Sequence, residues 1–201
     1  MRTLPISSAP QAVRASLFPA RIVAVTGERA WTLGQHLAAQ IACERKQVLY
    51  LCGDNRFNPY AVARFAKTQE RRPEEVLARI LVARAFTAHQ LDELIHRLDA
   101  EAEYGVIIIS GICAAFLDED VAPNDAARLF YRSLWRLTRL SREGRTLLLT
   151  ESATPKRTAR GYFLTDLCRA SNVVLRMEGE HSFTLEQRGG RLRLPEAAPQ
   201  P

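Results

Sequence analysis

Residues 21–55, RIVAVTGERAWTLGQHLAAQIACERKQVLYLCGDN, decide how this chain reads. An unbroken apolar run at 22–25 leads to Gly27, residues 33–43 carry apolar side chains at helical spacing, and a second apolar run at 48–52 ends in Gly53 and Asp54. Runs without polar alternation predict strands covered on both faces, and a helix between two of them is the connection that parallel strands require.

The same alternation continues downstream. Asn58 and Pro59 mark a turn before a helix with Tyr60, Val62, Ala63, Phe65 and Ala66 on one side, and Pro73 opens another with Glu74 and Glu75 in its first turn. A strand is expected at 80–85, a helix at 87–103 and a strand at 106–110 (VIIIS). After the acidic loop 118–120, Asn124 or Asp125 is placed to cap a long helix to 142. A strand at 146–150, a basic linker (ESATPKRTARGYF, 151–163) and a strand at 172–177 follow, and residues 182–186 and 191–194 read as a hairpin around Gly189 and Gly190. The expected fold is α/β: a mainly parallel central sheet flanked by helices, with a C-terminal β-hairpin. Ligands bind such sheets beyond the carboxyl ends of the strands, which lines up Gly27, Asp54 and Ser110 on one edge. Residues 1–20, with three prolines and no periodicity, read as a mobile leader, 21–195 as one core domain and 196–201 as a disordered tail.

Composition narrows the class. An apolar fraction of 47% and a charged fraction of 25% over 201 residues suit one globular domain. No apolar run reaches the length of a membrane span, so no membrane association is expected and the location is read as cytoplasmic, or nuclear in a eukaryote. Cys43, Cys52, Cys113 and Cys168 are far apart, which favours buried thiols over a metal or disulfide framework. The net charge of +6 falls entirely after Asp120, with 14 basic against 8 acidic residues, so an anionic partner is to be sought there. All basic residues but Lys46, Lys67 and Lys156 are arginines, a bias that genome composition explains as well as phosphate recognition does.

Several blocks in order carry a resemblance: YLCGDNRFNPY (50–60), ARAFTAHQ (83–90), GVIIISG (105–111) and RLFYRSLWRLTRLSREGRTLLLTES (128–152). Together they resemble the ATPase core of the RecA/Rad51 recombinase superfamily, its Rad51-like paralogs above all, over about 20–179. The resemblance implies a RecA-like P-loop NTPase core. The separate N-terminal DNA-binding domain of full-length recombinases and a clear polymerisation segment are not seen in the sequence, which argues against filament formation by this chain alone.

The catalytic pattern does not carry over. Gly27 begins the nucleotide loop, and QHLAAQIA (35–42) matches the helix behind it, which puts Thr32 at the second glycine, Leu33 at the lysine and Gly34 at the magnesium-binding Ser/Thr. Ile109, flanked by Ile108 and Ser110, falls at the magnesium-side aspartate, and Asp54 at the water-activating glutamate. Lysine neutralises the β- and γ-phosphates and the hydroxyl ligates the cation; leucine and glycine do neither. One lost electrostatic contact at such a site costs about 3 kcal/mol, so several lost together leave a pseudo-ATPase with no catalytic residue, metal or cofactor, ATP binding without hydrolysis being the open alternative.

Other residues carry two readings each. Lys156, Arg157 and Arg160 correspond to the second DNA-contacting loop of RecA-like proteins and suit single-strand phosphates, with Tyr162 or Phe163 available for stacking; a solvated loop is the plain alternative. Arg128, Arg132, Arg136 and Arg139 form a basic helical stripe, either a solvated face or a track for phosphates or an acidic partner. Trp31 either plugs the vacated pocket or anchors a partner. His36, Cys43, His89 and His96 read as packing or hydrogen-bonding residues, since no full ligand set accompanies them. The resemblance implies a non-catalytic accessory protein of DNA repair or recombination, a scaffold for a protein partner (a recombinase paralog or a polymerase-associated factor) and for single-stranded DNA. The alternatives are a divergent ATPase completed by Arg29 or by a residue of a neighbouring subunit, and a protein-only adaptor.

Overall fold

A computed structural model describes residues 2–17, 21–98, 104–152, 161–178 and 182–187. Its strands are β1 (Arg2–Pro5), β2 (Ile22–Thr26), β3 (Val48–Cys52), β4 (Ile80–Arg84), β5 (Val106–Ser110), β6 (Leu147–Glu151), β7 (Val173–Glu178) and β8 (Ser182–Gln187). The helices are α1 (Ala9–Leu17), α2 (Ala30–Cys43), α3 (Pro59–Thr68), α4 (Pro73–Leu77), α5 (Ala88–His96), α6 (Pro123–Arg142) and α7 (Tyr162–Ala170).

The strands form one sheet in the order β1-β8-β7-β2-β6-β5-β3-β4. From β7 to β4 every pairing is parallel, and β8 joins β7 and β1 antiparallel. The apolar runs at 22–26, 48–52 and 106–110 are buried along their whole length, as strands covered on both faces must be. Helices α1 to α4 pack on one face, against Val25, Tyr50, Ile108 and Leu148, and α5 to α7 on the other, against Leu51, Ile109 and Leu149. Among the described residues no helix is long and apolar enough to cross a membrane. Cys52, Cys113 and Cys168 are buried thiols.

Four expectations change. Residues 2–17 are not a leader: β1 adds to the sheet edge through β8, and α1 buries Val13 and Leu17 in the core, Arg14 pairing with Glu44. A short amphipathic helix gains its stability from the surface it covers, here β2 and α2, while β1 is held by a strand from the far end of the described chain. The hairpin pairs β7 with β8, while residues 191–194, like the tail 196–201, lie outside the described residues. Helix α2 begins at Ala30, three residues earlier than its apolar spacing suggested. Helix α6 starts on Pro123, with Asn124 and Asp125 inside its first turn and no side-chain cap.

Candidate functional site

Gly27, Asp54 and Ser110 lie along the carboxyl edge of the parallel strands, where Gly34 of α2, Thr150 and Glu151 join them. Register explains which side chains meet. Val25, Thr150, Ser110 and Cys52 are paired across β2, β6, β5 and β3, and so point to one face. Gly34 of α2 identifies that face: a Cβ built on it would lie 3.0 Å from Thr150 Cγ2 and 3.7 Å from Ile108 Cγ2. Ile109 belongs to the adjacent row with Leu51 and Leu149, fully buried against the α5–α7 layer. The place on β5 that faces α2 is therefore held by Ser110, not by Ile109, because successive strand residues point to opposite faces.

Ser110 Oγ donates to Asp54 Oδ2 at 2.7 Å. Asp54 Oδ1 accepts from the backbone N–H of Arg56 at 3.2 Å and lies 3.4 Å from Cys52 Sγ. Burial, and then the Asp54 charge, raise the Cys52 thiol, and burial also pushes the nearby Tyr50 phenol up. Gln35 of α2 fixes the loop after β3, donating to Arg56 O and accepting from Asn58 N–H, each at 3.0 Å. The carboxylate is thus held by a hydroxyl and a backbone amide of its own domain. Among the described residues Thr150 Oγ1 is buried without a hydrogen-bond partner.

The loop before α2 is equally committed. A phosphate cradle needs several backbone N–H groups open to the anion. Here Gly27 N–H donates to Glu151 O (3.0 Å), Ala30 N–H to Gly27 O (2.9 Å) and Thr32 N–H to Arg29 O (3.0 Å), with Thr32 Oγ1 on the same carbonyl at 2.7 Å. Gly27 has φ 122°, and a Cβ there would stand 2.7 Å from Met177 Cβ. Its glycine thus serves close packing against β7. Leu33 is buried in the core on the α1–α4 side of the sheet. Leu33 and Gly34, which the resemblance places at the lysine and the hydroxyl, lie in the core and beneath Thr150 and supply neither the charge nor the oxygen that hold a nucleoside triphosphate and its magnesium ion, and the loop amides of Gly27, Ala30 and Thr32 are bonded within the chain.

Trp31 does not enter this space. It lines a groove of about 290 Å³ between α2 and α3, together with Gln35, His36, Asn58, Val62 and Phe65. His36 meets the Phe65 ring edge-on at 4.6 Å, and burial holds its imidazole below the ordinary range.

The basic stripe of α6 is a seam. Arg132 pairs with Asp92, a fully buried carboxylate that also accepts from Ser133 Oγ at 2.8 Å and lies 3.3 Å from His96 Nδ1. Arg136 donates to Leu98 O, Arg139 pairs with Glu143 at 2.7 Å and Arg128 with Asp125 at 3.2 Å. Arg132 and Arg136 tie α6 to the α5 region, which a one-dimensional stripe cannot reveal. Lys156, Arg157 and Arg160 lie outside the described residues.

Glu151 escaped the sequence reading. Buried at the end of β6, it accepts at Oε2 from the N–H groups of Cys113 (2.7 Å) and Ala114 (3.2 Å), tying β6 to the turn after β5. Burial and this carboxylate push the Cys113 thiol well up. The available signal was a charged residue closing an otherwise apolar strand, LLLTE.

No curated protein matches the chain. A family model described as Rad51 matches residues 30–151, more than half of the chain and the whole span from the start of α2 to the end of β6. With the parallel sheet and the edge described above, the chain belongs to the Rad51 family, and so to the RecA-like proteins of recombination and repair.

Proposed function

We propose that this protein is a non-catalytic accessory factor of DNA repair or recombination, a RecA-like scaffold that binds a protein partner and single-stranded DNA and does not turn over ATP. The observation that carries this reading is the pairing of Ser110 with Asp54 on the same sheet edge as a loop in which the amides of Gly27, Ala30 and Thr32 are bonded internally. A site that must bind and release phosphates keeps such groups open, whereas a scaffold gains stability from closing them. For partner binding, support comes from the sheet edge: among the described residues β4 is paired on one side only, and Leu81 on it and Phe86 just beyond it are exposed. An unpaired strand with exposed apolar side chains is a surface that another chain can extend. DNA contact falls to Lys156, Arg157 and Arg160, since Arg128, Arg132, Arg136 and Arg139 of α6 have partners within the domain.

The test is calorimetric titration of the full chain with ATP and with ADP, with and without magnesium, alongside a turnover assay. The reading expects no magnesium-dependent heat and phosphate release at background. Turnover abolished by Asp54→Ala would establish the divergent ATPase instead.

A further inference from the structure

A second surface lies away from the strand ends, on the solvent side of α6 and α7. Tyr131, Trp135 and Tyr162 are 45%, 62% and 41% exposed there, half of the large apolar residues that the described chain leaves in solvent. Tyr131 and Trp135 are one helical turn apart, with Arg139 and Arg142 continuing their side of α6. A groove of about 550 Å³ runs between the two helices, lined by Tyr131, Leu134, Trp135, Thr138, Arg142 and Ala170.

Its walls are held in place. The Tyr131 hydroxyl donates to Asp166 Oδ2 at 2.8 Å, and Arg169 pairs with the other oxygen at 3.1 Å. Arg139 is fixed by Glu143 and sits 5.8 Å from the centroid of the Trp135 ring, a cation–π distance that orders the exposed indole. Rigid Trp, Tyr and Arg side chains bordering an apolar hollow are the composition of protein-interface hot spots, where little side-chain freedom remains to be lost on binding.

Charge decides the occupant. Arg128, Arg139 and Arg169 are each offset by a carboxylate of the same surface, Asp125, Glu143 and Asp166. A nucleic-acid strand needs a run of uncompensated cations and meets none here. Arg142 differs: it is exposed at one end of the groove and has no ion-pair or hydrogen-bond partner among the described residues. That arrangement complements an apolar segment carrying a single carboxylate.

We infer that the α6–α7 groove is a docking site for a partner-protein segment that seats large apolar side chains against Trp135, Leu134 and Ala170 and places one Asp or Glu on Arg142. It deepens the scaffold reading and rests on it. The two fail separately, because ATP turnover would overturn the scaffold reading whatever binds the groove.

The experiment pans the full chain against a phage-displayed library of random 16-residue peptides, then measures synthetic copies of the enriched peptides by fluorescence anisotropy. Trp135→Ala and Arg142→Glu alter exposed side chains, and circular dichroism and melting confirm that both variants fold. The groove predicts enriched peptides with two large apolar residues and an acid within one helical turn of them. Their Kd rises at least tenfold for either variant, and Arg142→Glu recovers affinity for peptides whose acid is replaced by Lys. Peptides that bind both variants as well as the parent overturn the proposal. So does weakened binding of a thirty-residue oligo-dT in the variants without any change in peptide binding, and so does a dimer of this chain that Trp135→Ala abolishes while no peptide enriches.

Discussion

The Ser110 hydroxyl reaches Asp54 Oδ2 at 2.7 Å across 56 positions of sequence, joining the ends of two adjacent parallel strands over Gly34 of α2. Under the proposed reading that contact stands where a magnesium-binding ATPase needs open ligands, and the packing around it resists their introduction. Leu33→Lys with Gly34→Thr restores the loop residues on paper. The lysine enters a buried site without a partner, and the threonine Cβ starts 3.0 Å from Thr150 Cγ2. The pair should lower unfolding free energy by about 3 kcal/mol or more, with no ATP turnover gained. Urea denaturation and phosphate release check both parts, and a stable, hydrolysing variant contradicts the account.

Gly111, next to Ser110, is a second lock on the same edge. Its φ is +68°, and a Cβ there would fall 2.4 Å from Asp54 Cβ and 2.8 Å from Asp54 N. Gly111→Ala should therefore cost about 2 kcal/mol or more, through both backbone strain and displacement of Asp54. Denaturation midpoints measure it, and a cost of a few tenths would mean that the loop after β3 moves freely.

Arginines that share one stripe in sequence should separate by assay. Arg132→Ala leaves Asp92 buried with only Ser133 and His96 beside it, and should lose about 1–3 kcal/mol of stability while oligo-dT binding at low salt is unchanged. Changing Lys156, Arg157 and Arg160 together to Ala should do the opposite, weakening oligo-dT binding and flattening its salt dependence with little effect on melting. A DNA defect in Arg132→Ala at unchanged stability would return that residue to the DNA-contact candidates.

Stability should also fall on mild acidification through His36. Burial lowers its folded-state pKa below the ordinary 6.5, so the unfolded chain binds the proton more readily. The loss begins as pH drops through the unfolded value and grows until the folded imidazole also protonates. His36→Gln should show a shallower decline between pH 7 and about 5 than the parent. Parallel stability-versus-pH curves for the two proteins would remove His36 as the cause.

The chain sequence by itself determined the layered α/β plan, because buried parallel strands cannot be built without uniformly apolar runs such as VIIIS and LLLT. It also pointed to the family, through blocks whose order matches, and it shows leucine and glycine at the two positions where the resemblance expects lysine and a hydroxyl. Tertiary structure alone decided which residues face one another. A one-residue step reverses the direction of a strand side chain, so Ser110 and not Ile109 looks toward α2. The partners of Arg132 and Arg136 lie across a helix seam, and the strand that pairs with β1 is β8, at the opposite end of the described chain. Trp31 follows the direction of its helix into the α2–α3 groove rather than the loop's former cavity. Each of these depends on the position of a second element, which composition and spacing along one segment do not contain.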